Sequence, residues 1–103
     1  MLENSDAFKK INENPITLDF TGFKFLGEVH RELKKKFGLP DYYGENWNAL
    51  WDCLRYIFDR DIKVEIRGFN SLPEDLKKEV SKMFSVFETL HAKAPEFTYE
   101  IIS

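Results

Sequence analysis

Three short runs of the chain alternate apolar and polar residues, and long segments separate them. The runs lie at residues 16–20, 62–67 and 97–102. An alternation with a period of two predicts β-strands. Each segment between them exceeds the dozen or so residues that a crossover between parallel strands requires. The spacing therefore predicts an α/β domain with a small three-stranded parallel sheet. Right-handed crossovers place its helices on one face if the strands are adjacent in sequence order.

The segment between the first two runs carries two helix patterns. The first predicted helix covers residues 25–37, and Gly38 follows it as a residue that readily adopts a positive φ. Asn46 is a favourable N-cap for a second helix over residues 47–58. On a helical projection, four residues of this second helix share an apolar arc: Leu50, Cys53, Leu54 and Ile57.

A third helix is predicted before Pro95, which interrupts the pattern. Ser71 and Glu74 have the spacing of a capping box, with a proline inside the first turn. Six apolar residues recur on one face of this helix: Leu76, Val80, Met83, Phe84, Phe87 and Leu90. We expect this face to cover the sheet.

Length and composition predict one soluble domain over residues 15–103, with residues 1–14 as a polar N-terminal extension. The net charge of −3 and the pI of about 5.4 argue against nucleic acid as a direct partner. The single cysteine, Cys53, makes no internal disulfide and fits a reducing compartment. Because neither a secretory signal nor a membrane span is predicted, we expect a cytoplasmic protein without a membrane partner.

The sequence contains few candidates for catalysis or for cofactor and metal binding. His30 and His91 lie in predicted helices beside ordinary polar residues, which does not favour a ligand or general-base role. Cys53 lies on an apolar arc, which favours a buried, inert thiol. Glu45 and Asp52 are conceivable as paired catalytic carboxylates, but no substrate-shaping motif accompanies them. We therefore expect no enzyme activity, no cofactor and no metal.

Residues 41–61 combine aromatic side chains with an excess of acid. Tyr42, Tyr43 and at least one of the two tryptophans are hard to bury beside the core residues already assigned. Exposed aromatic rings next to carboxylates are typical of a protein interface. Such a surface suits a partner with a basic, concave site. A second interpretation stays open, in which Trp47 and Trp51 close the core between two helices.

The stretch LPDYYGENWNALWDCL, residues 39–54, resembles the signature of the barstar family, the intracellular inhibitors of barnase-type ribonucleases. The family signature has Leu-Pro-acid-Tyr-Tyr-Gly-Glu-Asn followed by Ala-Leu-Trp-Asp-Cys-Leu. This resemblance implies a three-stranded parallel sheet with helices packed on one side. It also implies that the second helix and the loop before it cover the active site of a ribonuclease.

The resemblance assigns roles to individual residues. Asp52 matches the aspartate that occupies a cationic pocket for RNA phosphate, and four residues match other contact positions of the motif: Tyr42, Tyr43, Asn46 and Trp51. Trp47 is a further candidate contact, and Asp59 matches a flanking acidic position. Asn48 and Thr89 stand where the family has acidic contacts, and Ile57 stands where it has a tryptophan. These departures imply a less acidic surface around Asp52.

The sequence therefore predicts a non-enzymatic inhibitor that forms a 1:1 complex with a ribonuclease or ribonuclease toxin. The alternative is a barstar-like interaction domain whose basic partner is not a nuclease. A carboxylate-based hydrolase is the third and most distant hypothesis.

Overall fold

The computed structural model describes residues 14–57 and 61–103. Their order of strand, helix, helix, strand, helix and strand is the predicted one. The elements, in chain order, are β1 (Ile16–Asp19), α1 (Leu26–Phe37), α2 (Trp47–Leu54), a 3-10 turn (Arg55–Ile57), β2 (Ile62–Arg67), a second 3-10 turn (Phe69–Ser71), α3 (Glu74–Lys93) and β3 (Phe97–Ile101). Of the predicted extension over residues 1–14, the structure describes only Asn14, and the contact candidate Asp59 lies outside the described residues.

The three strands form one parallel sheet, as predicted, and their order in it is β1-β2-β3. Ile16 lies opposite Val64, and Ile62 lies opposite Phe97. Alternate side chains of a strand point to opposite faces. One face of the sheet is buried in the core, and the other exposes polar side chains: Asp19, Lys63, Arg67, Thr98 and Glu100. The helices therefore pack on the single apolar face.

Helix α1 ends where the sequence predicts. Gly38 has a φ of 64°, a left-handed conformation that favours glycine, and its N–H donates to the carbonyl of Lys34. At the other end, the Glu28 carboxylate accepts from the backbone N–H groups of Lys24 and Phe25 at 2.8 and 3.0 Å. These bonds hold the pKa of Glu28 below its usual value. Both helix ends therefore have partners for otherwise unpaired backbone groups.

Helix α2 is shorter than predicted. Its α-helical part ends at Leu54, and Arg55–Ile57 continue as a 3-10 turn. The predicted helix end at Phe58 lies outside the described residues, as does the side chain of Ile57, which the sequence places in the core. A 3-10 turn has three residues per turn, so it rotates the side chains after Leu54 away from the α-helical projection.

The predicted capping box of α3 is wrong. The Ser71 hydroxyl donates to the carbonyl of Gly68 at 3.0 Å within the 3-10 turn, and α3 begins only at Glu74, after Pro73. The sequence contains the spacing of a capping box, but Ser71 is committed to the preceding turn. The apolar face of α3 is as predicted, because five of its six residues are buried: Leu76, Val80, Met83, Phe87 and Leu90.

Candidate protein-binding site

The loop before α2 exposes Tyr42 to solvent and ends at Asn46, the N-cap of α2. Tyr42 is 74% exposed. The Asn46 side chain accepts from the N–H of Ala49 at 2.8 Å and donates to the carbonyl of Gly44 at 3.2 Å. Its amide is therefore engaged within the loop, where it caps the first turn of α2. Asn46, predicted as a contact, positions the site through these bonds.

Glu45 lies in this loop with a φ of 53°, an unusual conformation for a residue other than glycine. The left-handed region costs a non-glycine residue roughly 1–2 kcal/mol. Such strain persists only where the surrounding contacts hold the backbone. Here the Asn46 cap follows directly, so the loop is held in one shape between Tyr42 and α2.

Tyr43 is buried, contrary to the expectation that it belongs to the exposed surface. It is only 7% exposed, and its hydroxyl lies 2.6 Å from Nδ1 of His30. Burial raises the pKa of Tyr43 well above its usual value, so the phenol stays protonated. The core accommodates this tyrosine because His30 supplies a polar partner for the hydroxyl. Tyr43 is therefore part of the core on which the site rests, and it offers little surface to a partner.

His30 is a core residue of α1 that the sequence reading missed. It is 2% exposed, and burial lowers its pKa, so the imidazole is neutral. Its Nε2 has no hydrogen-bond partner among the described residues. A signal was present, because His30 lies four residues after Leu26 and three before Leu33, on the apolar stripe of α1.

Trp47 links α1, α2 and α3. Its ring centroid lies 4.5 Å from that of His30, and its Nε1–H donates to the Glu79 carboxylate at 3.1 Å. Glu79 also accepts from the Lys82 ammonium at 3.0 Å, and these two bonds lower its pKa. Trp47 and Trp51 are both partly buried against the core. The interpretation in which the tryptophans close the core is therefore correct for Trp47, whose indole N–H is used within the chain.

Asp52 is an exposed carboxylate in the last turn of α2. Within residues 14–57 and 61–103, no ion pair or hydrogen bond involves its side chain. Arg55, three residues later, instead donates to the Tyr56 hydroxyl at 3.3 Å, and its guanidinium carbon lies 5.2 Å from the centre of that ring. A carboxylate at the C-terminal end of a helix opposes the helix dipole. Asp52 therefore contributes nothing evident to the stability of α2 and is available to a partner.

The surface around Asp52 is only moderately acidic. Asn48 is exposed one turn earlier on the same helix and carries no charge. Asp41 lies 3.4 Å from the Lys34 ammonium, so a base from α1 offsets its charge. Among the described residues, Glu45 and Asp52 are then the acids of this loop and helix that remain without an ion pair.

The contact predicted on α3 is accessible but neutral. Thr89 is exposed, and its hydroxyl donates to the Ser85 carbonyl at 2.9 Å. Its neighbour Glu88 accepts from the Tyr99 hydroxyl, which ties that acid to β3. Burial and the Glu88 carboxylate raise the pKa of Tyr99 to about 12. Neither position brings a free carboxylate toward Asp52.

The described residues contain little that suggests catalysis. No group of His, Cys, Asp and Glu side chains among them is arranged to hold a metal ion. Burial and the nearby Asp52 charge raise the pKa of the Cys53 thiol, which disfavours the reactive thiolate. No helix in this part of the chain combines the length and apolarity needed to cross a bilayer.

Comparison with known proteins identifies the family of this chain. The family model "Barstar (barnase inhibitor)" matches residues 13–101. A Bacillus subtilis (strain 168) protein named "Putative ribonuclease inhibitor YrdF" is 39% identical over 54 residues, which are 52% of this chain. The match spans 59% of that relative's length. Since the family model covers most of the chain and the sheet, helices and signature helix agree with it, the chain belongs to the barstar family.

Proposed function

We propose that this protein is a non-enzymatic inhibitor that binds a barnase-like ribonuclease 1:1 and blocks its active site. The observation that carries the proposal is Asp52, an exposed carboxylate without an ion pair among the described residues, inside the family signature. It would enter the cationic pocket that otherwise receives an RNA phosphate. Such an inhibitor acts in the cytoplasm, where it protects the cell that makes the nuclease.

The shape and charge of the site support a protein partner. Tyr42 supplies exposed aromatic area, and the Asn46 cap holds the loop against α2. A rigid, preorganised surface loses little entropy on binding. Charge-assisted bonds from arginine or lysine to a desolvated carboxylate are strong, and removing the carboxylate leaves those cations unpaired.

The proposal is tested by RNA cleavage. The purified protein is titrated into a barnase-type ribonuclease and into the secreted nuclease encoded nearest its own gene, and residual cleavage is measured. Inhibition that saturates at one equivalent supports the proposal. Asp52→Ala should abolish inhibition at concentrations where Asp41→Ala, the matched control whose parent residue pairs with Lys34, still inhibits. Equal, small effects of both changes would refute the role of Asp52.

A second candidate is an interaction domain for a basic partner that is not a nuclease. The neutral Asn48 and the offset charge of Asp41 favour it, because they leave the surface less acidic than the family pattern implies. Tight binding without loss of RNA cleavage would establish this alternative. Turnover of a substrate that Asp52→Ala abolishes would instead revive the hydrolase hypothesis.

A further inference from the structure

The end of α2 carries a cation held over an exposed aromatic ring. Arg55 donates to the Tyr56 hydroxyl at 3.3 Å, and its guanidinium carbon lies 5.2 Å from the ring centroid. Tyr56 is 68% exposed, and Arg55 is exposed as well. A cation–π contact and a hydrogen bond thus restrain both side chains before any partner binds. Neither residue belongs to the signature, which ends at Leu54.

The position of Arg55 changes the charge that a partner meets. Residues three apart on a helix have Cβ atoms about 5–6 Å from each other, close enough for an Asp52–Arg55 ion pair. Arg55 instead turns to Tyr56, and no such pair forms among the described residues. With Asn48 neutral, the outer side of α2 and the turn after it presents one negative and one positive group side by side.

We propose that Arg55 and Tyr56 form a second contact of the binding site. In this proposal, which depends on the proposed function, the partner carries an acidic side chain beside the cationic pocket for Asp52. A guanidinium that loses water on binding needs a carboxylate partner, and the fork of arginine suits one well. Arginine and tyrosine are also the residue types that most often anchor protein interfaces. The partner is therefore a ribonuclease whose basic active site has an acid at its rim, not a uniformly cationic surface.

Reversing the charge of Arg55 tests this inference, because the direction in which the Kd changes depends on the charge of the partner. Against a uniformly basic partner, Arg55→Glu adds a favourable charge and tightens binding. Against a partner with the proposed acid, the same change places two carboxylates together, and the Kd should rise about tenfold or more, mainly through faster dissociation. Arg55→Gln should change the Kd in the same direction by less. The probe is the ribonuclease that the wild-type protein inhibits in the cleavage assay.

Lys63→Glu provides the matched control, because it makes the same change in net charge on the polar face of the sheet, away from the helices. Its Kd should stay within about twofold of the wild type, because Lys63 lies on the face of the sheet opposite the one that the helices cover. Thermal unfolding of each variant shows that it is folded. An Arg55→Glu variant that binds equally well or more tightly overturns this inference while the proposed function stands. If the wild type inhibits no ribonuclease, the proposed function itself fails and this inference fails with it.

Discussion

Replacing Asp52 by asparagine should stabilise the folded protein and weaken its binding to the partner. The substitution keeps the shape of the side chain and removes its charge. Asp52 lies in the last turn of α2, where a negative charge opposes the helix dipole by about 0.3–1 kcal/mol. No stabilising ion pair is lost within the described residues. We therefore expect the free energy of unfolding to rise by up to about 1 kcal/mol, which corresponds to several degrees in Tm for a domain of this size.

The same substitution should weaken binding, and the change in binding free energy should be much larger than the change in stability. Removing one partner of a buried ion pair costs roughly 3–5 kcal/mol, because the remaining charge is left uncompensated. At about 1.4 kcal/mol for each factor of ten, the Kd should rise by roughly two to three and a half orders of magnitude. The result would be a more stable protein that no longer inhibits.

Urea or thermal unfolding measures the first effect, and calorimetric titration against the inhibited ribonuclease measures the second. Asp41→Asn is the control, because it breaks an exposed ion pair worth at most about 1 kcal/mol and should hardly change the Kd. A loss of stability in Asp52→Asn would refute our reading, since it would mean that the carboxylate has a structural partner. An unchanged Kd would refute its role in binding.

Three further predictions concern the scaffold under the site. Tyr43→Phe should cost about 1–3 kcal/mol in urea unfolding, because it leaves Nδ1 of buried His30 without its partner; an unchanged midpoint would contradict this. Burial lowers the pKa of His30 from 6.5, so the unfolded chain binds more protons than the folded one just below that pH. The free energy of unfolding should therefore fall as the pH drops through about 6.5. His30→Asn should flatten this part of the plot of stability against pH. Gly68→Ala should cost about 2–4 kcal/mol by the same assay, because a Cβ there would lie 2.4 Å from the backbone nitrogen of Thr21 at a φ of 81°; a neutral result would refute the close approach.

The element order and the sheet were predictable because they follow from local periodicity. Alternation within the strands, the stripe of α3 and the turn at Gly38 are all readable within a few residues of sequence. The capping box failed for the opposite reason. The spacing of Ser71 and Glu74 is correct, but the Ser71 hydroxyl bonds to Gly68 instead, and spacing alone does not show which acceptor a hydroxyl reaches.

The sequence by itself determined the parallel α/β architecture and the family resemblance. It also indicated Asp52 as the candidate for the main contact with a partner. Only the tertiary structure separated the adjacent tyrosines, of which Tyr42 is exposed and Tyr43 is buried. The two tyrosines are adjacent in the same loop, so local sequence does not distinguish them. The residue that makes the burial of Tyr43 possible is His30, which lies in α1. In the same way, Glu79 of α3 engages Trp47, and Arg55 turns to Tyr56 although Asp52 lies within one helical turn. Periodicity shows which side of a helix faces the core, whereas the bonding partners of a polar side chain depend on residues that folding brings together.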